Sequence, residues 1–133
     1  MTRTYAFGTI PSPWFEEVYE LTLTAQRIAI EGIRPGKTGL EIDGIARDLI
    51  AEAGYGANFG HGLGHGVGIE IHEGPRLNKE SNTVLEEGMV VTVEPGVYVP
   101  GKGGVRIEDV VVVTKDGCEV LSAAPKELEV LGR

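Results

Sequence analysis

The sequence predicts an α+β domain in which two amphipathic helices precede a mostly antiparallel sheet. Apolar residues recur at helical spacing between residues 13 and 54, and β-branched runs dominate after residue 88. Glycines crowd the segment that joins these two regions, residues 54–68. The 133 residues have the length of one domain.

A short strand is predicted from Thr2 to Phe7, where β-forming residues alternate with others. Ser12 is placed to cap a first helix that has Pro13 at its first position. The apolar stripe of this helix consists of Phe15, Val18, Leu21, Ala25, Ile28 and Ala29. We expect the helix to end near Gly32, because the sequence Arg34-Pro35-Gly36 cannot continue it.

A second helix is predicted to begin after Thr38, since Glu41 three residues later completes a capping box. Its apolar stripe consists of Ile42, Ile45, Ala46, Leu49 and Ile50. Gly54 is expected to end it. Asp43 and Asp48 belong to this helix, and we interpret both as solvated charges on its outer face.

The β-branched runs predict four further strands. They are Met89–Val93, Gly96–Val99, Val105–Val113 and Glu119–Leu121. Glycine-rich turns at residues 100–104 and 115–117 separate the last pairs of strands. Strands joined by such short turns pair with their neighbours, so these runs predict an antiparallel meander.

Composition and charge narrow the function classes. The net charge is −8 and no run of lysine or arginine is present, which argues against a nucleic-acid partner. No apolar stretch approaches 18 residues, so we expect no membrane span, and no signal peptide is evident at the N-terminus. The expected location is therefore the cytoplasm. The single cysteine, Cys118, has no activating motif beside it and is interpreted as structural.

All three histidines, His61, His65 and His72, fall within a stretch of twelve residues in or just after the glycine-rich segment. One interpretation is that they hydrogen-bond the backbone in tight turns. The other is a ligand site, since glycines let the backbone approach a ligand closely. A zincin helix is excluded, because Gly62 and Gly64 are poor helix residues and no glutamate follows His61. The segment also lacks the strand and helix that flank a dinucleotide-binding loop.

Two glutamates stand in apolar surroundings. Glu94 ends a β-branched run and precedes Pro95, so a surface turn would explain it. Glu108 lies within a predicted strand, where a salt bridge to Arg106 on a solvated face would explain it. A carboxylate in such a strand is costly unless it is paired or bound to a cation. Together with the histidines, the two glutamates favour a metal site.

Three ordered motifs carry a resemblance to a known family. Residues 59–75 read FGHGLGHGVGIEIHEGP, residues 85–98 read LEEGMVVTVEPGVY, and residues 104–109 read GVRIED. Together they resemble the Xaa-Pro dipeptidase (prolidase) and aminopeptidase P branch of the methionine-aminopeptidase-like metallopeptidases. The resemblance covers essentially the whole chain. It implies half of a pita-bread fold, with residues 1–133 as a single partial domain that corresponds to the C-terminal half of the catalytic domain.

The resemblance also implies roles for individual residues. His65, Glu94 and Glu108 match metal ligands, with Glu108 bridging two ions. The residues that match substrate-contacting or catalytic positions are His61, His72 and Arg106. Imidazole and carboxylate donors suit a divalent metal, with Mn²⁺ or Co²⁺ expected and Zn²⁺ or Fe²⁺ as alternatives.

The family uses two further aspartate ligands from a hairpin that precedes these motifs, and this sequence contains no matching pair. We therefore expect the isolated chain to hold at most one weakly bound ion and to be inactive. The complete protein is expected to cleave a proline-containing dipeptide or peptide. A homodimer is expected to cover the surface that the other half would occupy. The alternatives are a non-catalytic pita-bread binding module, a methionine aminopeptidase and a creatinase-like amidinohydrolase.

Overall fold

The computed structural model describes residues 1–132. Two helices, α1 (Pro13–Gly32) and α2 (Gly39–Glu52), are followed by a 3₁₀ turn at Gly56–Asn58. The strands are β1 (Ala6–Phe7), β2 (Gly64–Gly66), β3 (Glu73–Leu77), β4 (Val90–Val93), β5 (Gly96–Val99), β6 (Gly103–Arg106), β7 (Asp109–Val113), β8 (Cys118–Val120) and β9 (Val130–Leu131). This order confirms the predicted α+β class.

The central sheet has five antiparallel strands in the order β3-β2-β4-β7-β8. Strands β5 and β6 form a separate hairpin, and β1 pairs with β9 in parallel. The predicted simple meander is therefore wrong. The β5–β6 hairpin leaves the sheet after β4, and the chain returns to pair β7 with β4.

Two predicted strands have different bounds in the structure. The run Val105–Val113 divides into β6 and β7, because the amide of Ile107 donates to the Pro95 oxygen and that of Glu108 to the Thr2 oxygen. These bonds turn the backbone away from the sheet ladder for two residues. The predicted strand from Thr2 reduces to Ala6–Phe7 and an isolated bridge between Thr2 and Glu108.

The helix ends follow the sequence signals with one exception. Thr38 and Glu41 form the predicted capping box, and Gly54 follows α2 with a positive φ of 88°. Ser12 occupies the N-cap position of α1 with extended geometry, but its side chain makes no capping hydrogen bond. The helix instead begins with Pro13, whose missing amide hydrogen needs no partner at that position.

Helices and sheet enclose one core. It contains, among others, Val18, Leu23, Ile42 and Ile50 from the helices and Val91, Val93, Val111 and Val113 from the sheet, each at most 2% exposed. Gly39 at the start of α2 lies against the carbonyl of Arg76 in β3, where a Cβ atom would overlap that oxygen. Close contact between α2 and the sheet fixes the helix beside the glycine-histidine segment.

Candidate active site

His65 occupies the middle of the three-residue strand β2, between β3 and β4. A Cβ atom at Gly64 would overlap the carbonyl oxygen of Thr92, and one at Gly66 would overlap that of Gly74. Glycine is therefore required on both sides of the histidine for the three strands to approach this closely. The glycine pattern that makes a strand hard to recognise in the sequence is what brings His65 beside Glu94.

His65 and Glu94 form the closest pair of candidate ligands, with 3.2 Å between His65 Nε2 and Glu94 Oε1. Both side chains are 15% exposed. The Thr92 hydroxyl donates to Glu94 Oε1 over 2.8 Å and accepts from the His65 amide over 3.0 Å. A surface turn does not describe Glu94, since its carboxylate is held against the histidine.

The tautomer of His65 follows from its second nitrogen. Nδ1 lies 2.8 Å from the Gly66 carbonyl oxygen, which can only accept, so Nδ1 carries the hydrogen. In the neutral ring, Nε2 then presents a lone pair to a carboxylate oxygen. Two acceptors at this distance are stable only with a proton or a cation between them. The pair is therefore suited to a shared cation.

His61 has the same tautomer but a different partner. Its Nδ1 donates to the Gly62 carbonyl over 2.8 Å, and its Nε2 lies 2.7 Å from the Tyr98 hydroxyl. In the neutral ring Nε2 accepts from that hydroxyl. Asn58 holds the backbone of Tyr98 through a 2.9 Å bond to its carbonyl. The interpretation that the histidines hydrogen-bond the backbone is thus correct for His61 and His65. In both, the bond fixes which ring nitrogen carries the hydrogen.

His72 lies in the exposed loop between β2 and β3, with its ring centroid 4.6 Å from that of His65 in an edge-to-face arrangement. The Arg76 guanidinium donates to the His72 carbonyl over 2.8 Å and so connects the loop to β3. This contact places an exposed imidazole directly beside the His65–Glu94 pair.

Arg106 and Glu108 meet at Thr2 rather than at each other. The Thr2 hydroxyl donates to Glu108 Oε2, and Arg106 Nη2 lies 3.3 Å from the same hydroxyl. Glu108 Oε1 also lies 3.5 Å from the Met1 amine. The alternative of a direct Arg106–Glu108 salt bridge is not supported, since no such pair forms within residues 1–132.

The three histidines, Glu94 and Arg106 border one open cleft of about 380 Å³. Its lining consists of His61, Gly62, Gly64, His65, His72, Arg76, Asn78, Glu94 and Arg106. The predicted site residues therefore come together, except that Glu108 is not part of the lining. Across residues 1–132 no three His, Cys, Asp or Glu side chains converge closely enough to hold a metal ion. The donors fit a divalent cation in type, and His65 and Glu94 alone supply a contacting pair.

Residues 1–115 match metallopeptidase family M24. The chain belongs to this family. It is 52% identical over 128 residues to the Xaa-Pro dipeptidase of Pyrococcus horikoshii, which covers 96% of this chain and 36% of that protein. It is 50% identical over 130 residues to the Xaa-Pro dipeptidase of Lactobacillus delbrueckii, covering 98% of this chain and 35% of that one.

Solved structures give the same assignment. The Xaa-Pro dipeptidase from Bacillus anthracis superposes with a TM-score of 0.94 at 55% identity, covering 97% of this chain and 36% of that one. The X-Pro aminopeptidase from Thermotoga maritima gives 0.92 at 44% identity, with 97% and 36% covered. These matches confirm the predicted fold class, half of a pita-bread fold. The M24 chain thus spans about a third of the length of the relatives it matches.

The M24 chain has two aspartates that sequence reasoning misjudged or passed over. Asp43 is 1% exposed and binds Arg47 through both oxygens, so its interpretation as a solvated charge is wrong, whereas Asp48 is exposed as predicted. Asp109 has no exposed surface. Its carboxylate accepts from Arg3, Gln26 and Lys126 at 2.7–2.9 Å.

Burial and hydrogen bonding act in opposite directions on Asp109. Burial raises the pKa of its carboxyl, but hydrogen bonds from Lys126, Arg3 and Gln26 outweigh it and hold the pKa below the usual value. Asp109 therefore stays ionised inside the M24 chain as part of a structural network.

The environment of Cys118 and the hydropathy of the helices agree with what the sequence predicts. Cys118 is half-buried, its thiol donates to the Ile30 carbonyl over 3.3 Å, and burial raises the pKa of that thiol, all of which fit a structural residue. Neither helix in the part of the chain that the structure describes has the length and hydropathy needed to cross a membrane.

Proposed function

We propose that this chain forms the histidine-glutamate side of a divalent-metal peptidase site, which in a complete protein cleaves the bond before proline. The observation that carries the proposal is the His65–Glu94 pair, in which Nε2 lies 3.2 Å from a carboxylate oxygen and Nδ1 carries the hydrogen. Either a proton or a metal cation between the two atoms stabilises this arrangement, and membership of a metallopeptidase family favours the metal.

His65 and Glu94 would hold the metal, with Glu108 as a further carboxylate ligand. Mn²⁺ and Co²⁺ are the expected ions, with Zn²⁺ and Fe²⁺ as alternatives, since the donors are imidazole and carboxylate without thiolate. A bound divalent ion supplies a nucleophilic hydroxide at neutral pH and polarises the scissile carbonyl.

The remaining cleft residues would act on the substrate. His72 would donate a hydrogen bond to a developing oxyanion beside the ligands, and its exposure and ring contact with His65 support this role. His61 receives a hydrogen bond from Tyr98 at Nε2, so its ring is held in one orientation for substrate contact. Arg106 keeps a positive charge near Glu108 through their common partner Thr2.

The substrate class comes from the relatives. Those named Xaa-Pro dipeptidase and X-Pro aminopeptidase share 44–55% identity with this chain and superpose closely where structures exist. A proline-containing dipeptide or short peptide is therefore the proposed substrate, in preference to the N-terminal methionine peptides of a methionine aminopeptidase.

We further propose that these 133 residues alone hold at most one weakly bound ion and turn over little substrate. Asp43 and Asp109 are committed to Arg47 and to the Arg3–Lys126 network, so neither carboxylate is available as a further ligand. Glu94 and Glu108 together balance one divalent charge, whereas two ions would leave an excess positive charge.

A cytoplasmic location and a homodimer complete the proposal. Val67, Ile69 and Ile71 are exposed apolar residues in the loop beside the cleft, and Ile69 has no buried surface. Exposed apolar groups grouped at a cleft favour association. A second copy is the proposed partner that covers them.

The test is titration of Mn²⁺ and Co²⁺ into the chain by calorimetry, with Xaa-Pro hydrolysis assayed in parallel. We expect a single weak binding event, lost in His65→Ala and Glu94→Gln and retained in the control Glu119→Gln, which alters an exposed carboxylate of β8. Absence of metal binding would overturn the metal proposal. Turnover comparable to that of complete relatives would overturn the proposed inactivity.

A further inference from the structure

Two side chains of α2, Asp43 and Arg47, hydrogen-bond the backbone of the segment that carries His61. Arg47 Nη1 donates to the Phe59 carbonyl over 2.9 Å, and Nη2 donates to the His61 carbonyl over 2.8 Å. Asp43 Oδ1 accepts from the Leu63 amide over 3.0 Å. Asp43 and Arg47 together therefore hydrogen-bond every second residue of this segment, at positions 59, 61 and 63.

The pair is itself held rigidly. Arg47 donates from Nε to Asp43 Oδ2 over 2.6 Å and from Nη2 to Oδ1 over 2.9 Å, a bidentate arrangement that fixes the guanidinium plane. The guanidinium carbon also lies 4.1 Å from the centre of the Phe59 ring. Asp43 is 1% exposed and the Arg47 side chain 13%, so water competes little for these bonds.

These hydrogen bonds connect the Asp43–Arg47 pair to His61 and to Glu94, which both line the cleft. Through the His61 carbonyl the pair fixes the residue whose ring meets Tyr98. Through Leu63 it reaches Glu94, because the Leu63 carbonyl accepts from the Glu94 amide over 2.7 Å. One i,i+4 pair on α2 is thus connected to a substrate-side histidine by one hydrogen bond and to a proposed metal ligand by two hydrogen bonds through Leu63.

An ordinary i,i+4 pair at the start of the same helix has none of these connections. Lys37 and Glu41 form one at 2.9 Å on the exposed surface, and it is linked only to the helix cap. The difference lies in the three loop contacts of Asp43 and Arg47.

We propose that Asp43 and Arg47 are a positioning pair that sets the orientation of His61 and the place of Glu94. The inference rests on the proposed function for its consequence, metal binding, but not for its structural content. Neither residue touches the substrate or the ion. They act through the backbone of residues 59–63, so their loss should disturb the cleft while the fold persists.

The test compares Arg47→Lys with Lys37→Gln. Each alters an i,i+4 ion pair, the first within α2 and the second between the residue before the N-cap and the first turn. Lysine keeps a positive charge beside Asp43, but its single nitrogen cannot replace the three separate nitrogens from which Arg47 bonds the carboxylate and the two carbonyls. We expect the amide of Leu63 to exchange with solvent at least about tenfold faster and the His61 ring nitrogens to lose their single-tautomer NMR signature. Core amides such as Val91 and Val111 should keep their protection, and Lys37→Gln should change none of these signals.

A second variant and a second measurement keep the test decisive. Asp43→Asn retains an oxygen that can accept from the Leu63 amide but removes the charge that orients Arg47, so it should disturb His61 and spare Leu63. Mn²⁺ affinity should fall about 10- to 100-fold in Arg47→Lys, as for other residues that support metal ligands indirectly.

Unchanged Leu63 exchange and an unchanged His61 signature in folded Arg47→Lys would overturn the proposal. So would a uniform loss of protection across the core, or failure of both variants to fold, since each would make the pair a general stability element. If the parent chain binds no metal, the proposed function fails while the exchange and tautomer measurements still decide the role of the pair.

Discussion

Asp109 is a charge kept inside the protein by its neighbours. Arg3 and Lys126 contact its two oxygens at 2.7 and 2.9 Å, and Gln26 adds a third donor. Arg3 also donates to the carbonyls of Glu108 and Ala124. The carboxylate thereby joins the first residues of the chain, helix α1 and the segment after β8. A buried ion pair of this kind is costly to break because the remaining charges stay buried.

Replacing Asp109 by asparagine should destabilise the chain by about 3 kcal/mol at pH 7, since it leaves Arg3 and Lys126 without their anion. The measurement is urea unfolding, with Asp116→Asn, an exposed turn residue, as the control. A change equal to that of the control would contradict the structural role assigned to Asp109.

Because of Asp109, the free energy of unfolding should decrease at acid pH. The folded pKa of Asp109 lies below the value of about 3.9 expected in an unfolded chain. Its contribution is therefore complete above that value and is lost as the pH falls toward the folded pKa. Unfolding curves between pH 2 and 6 should show a smaller loss of stability in Asp109→Asn than in the parent chain. An equal pH dependence of the unfolding free energy in the two proteins would contradict the lowered pKa of Asp109.

Individual site residues were predictable to the extent that they lie in sequence motifs. His61, His65, His72, Glu94 and Arg106 all border the cleft. Their roles as ligands or catalytic groups remain predictions.

Tyr98 and Arg47 were missed. Their contacts with the histidine segment span 37 and 14 residues of sequence. Tyr98 offered one signal, since period two in an extended chain places it on the same face as Glu94. Asp43 offered none, because a helical aspartate four residues before an arginine looks the same whether the pair is exposed or buried.

At the level of elements, the N-caps of the two helices can be compared, because only Thr38 of α2 makes a side-chain capping bond. The Thr38 hydroxyl accepts from the Glu41 amide over 3.2 Å, and the Glu41 carboxylate accepts from the Thr38 amide over 2.8 Å. Bonds from Lys37 and Thr38 lower the pKa of Glu41 to about 2. Thr38→Ala should therefore cost about 1 kcal/mol of unfolding free energy. Ser12→Ala should cost almost nothing, because Ser12 makes no side-chain cap bond. Equal losses in thermal or urea unfolding would contradict the cap assignment.

Strand β2 depends on the absence of side chains around His65. Gly64→Ala should destabilise the chain by about 2–3 kcal/mol, because the new Cβ overlaps the Thr92 carbonyl and pushes β2 away from β4. Gly60→Ala is the control, since nothing lies within 4 Å of a Cβ at that position. Urea unfolding measures both, and equal effects would show that the close strand contact is unimportant.

The helices and the strands differ in how well sequence patterns predicted them. Both helices lie where apolar period and capping signals placed them. Strands β2 and β3 were missed because Gly64, Gly66 and Pro75 depress strand propensity, although close backbone contact is what makes glycine suitable there. The order of pairing was wrong because β4 and β7 are adjacent only after an intervening hairpin, and periodicity carries no record of such long-range pairing.

At the scale of the whole molecule, the cleft lies open beside an apolar loop. Ile69 and Ile71 are 104% and 81% exposed, which is unusual for two isoleucines separated by one residue. The opposite edge of the five-stranded sheet is β8, and Leu121, the residue that follows it, is 52% exposed. Two apolar surfaces at opposite ends of one sheet allow the proposed dimer to be located by mutation.

Light scattering at micromolar concentration should give twice the mass of one chain, because association removes the isoleucines and the cleft rim from water. The double variant Ile69→Lys with Ile71→Lys should give the mass of one chain, since lysines would place two like charges in each half of a symmetric contact. Leu121→Lys adds one positive charge beside the opposite edge strand and should leave the mass unchanged. A monomeric parent chain would refute the dimer, and dissociation by Leu121→Lys alone would move the interface to the β8 edge.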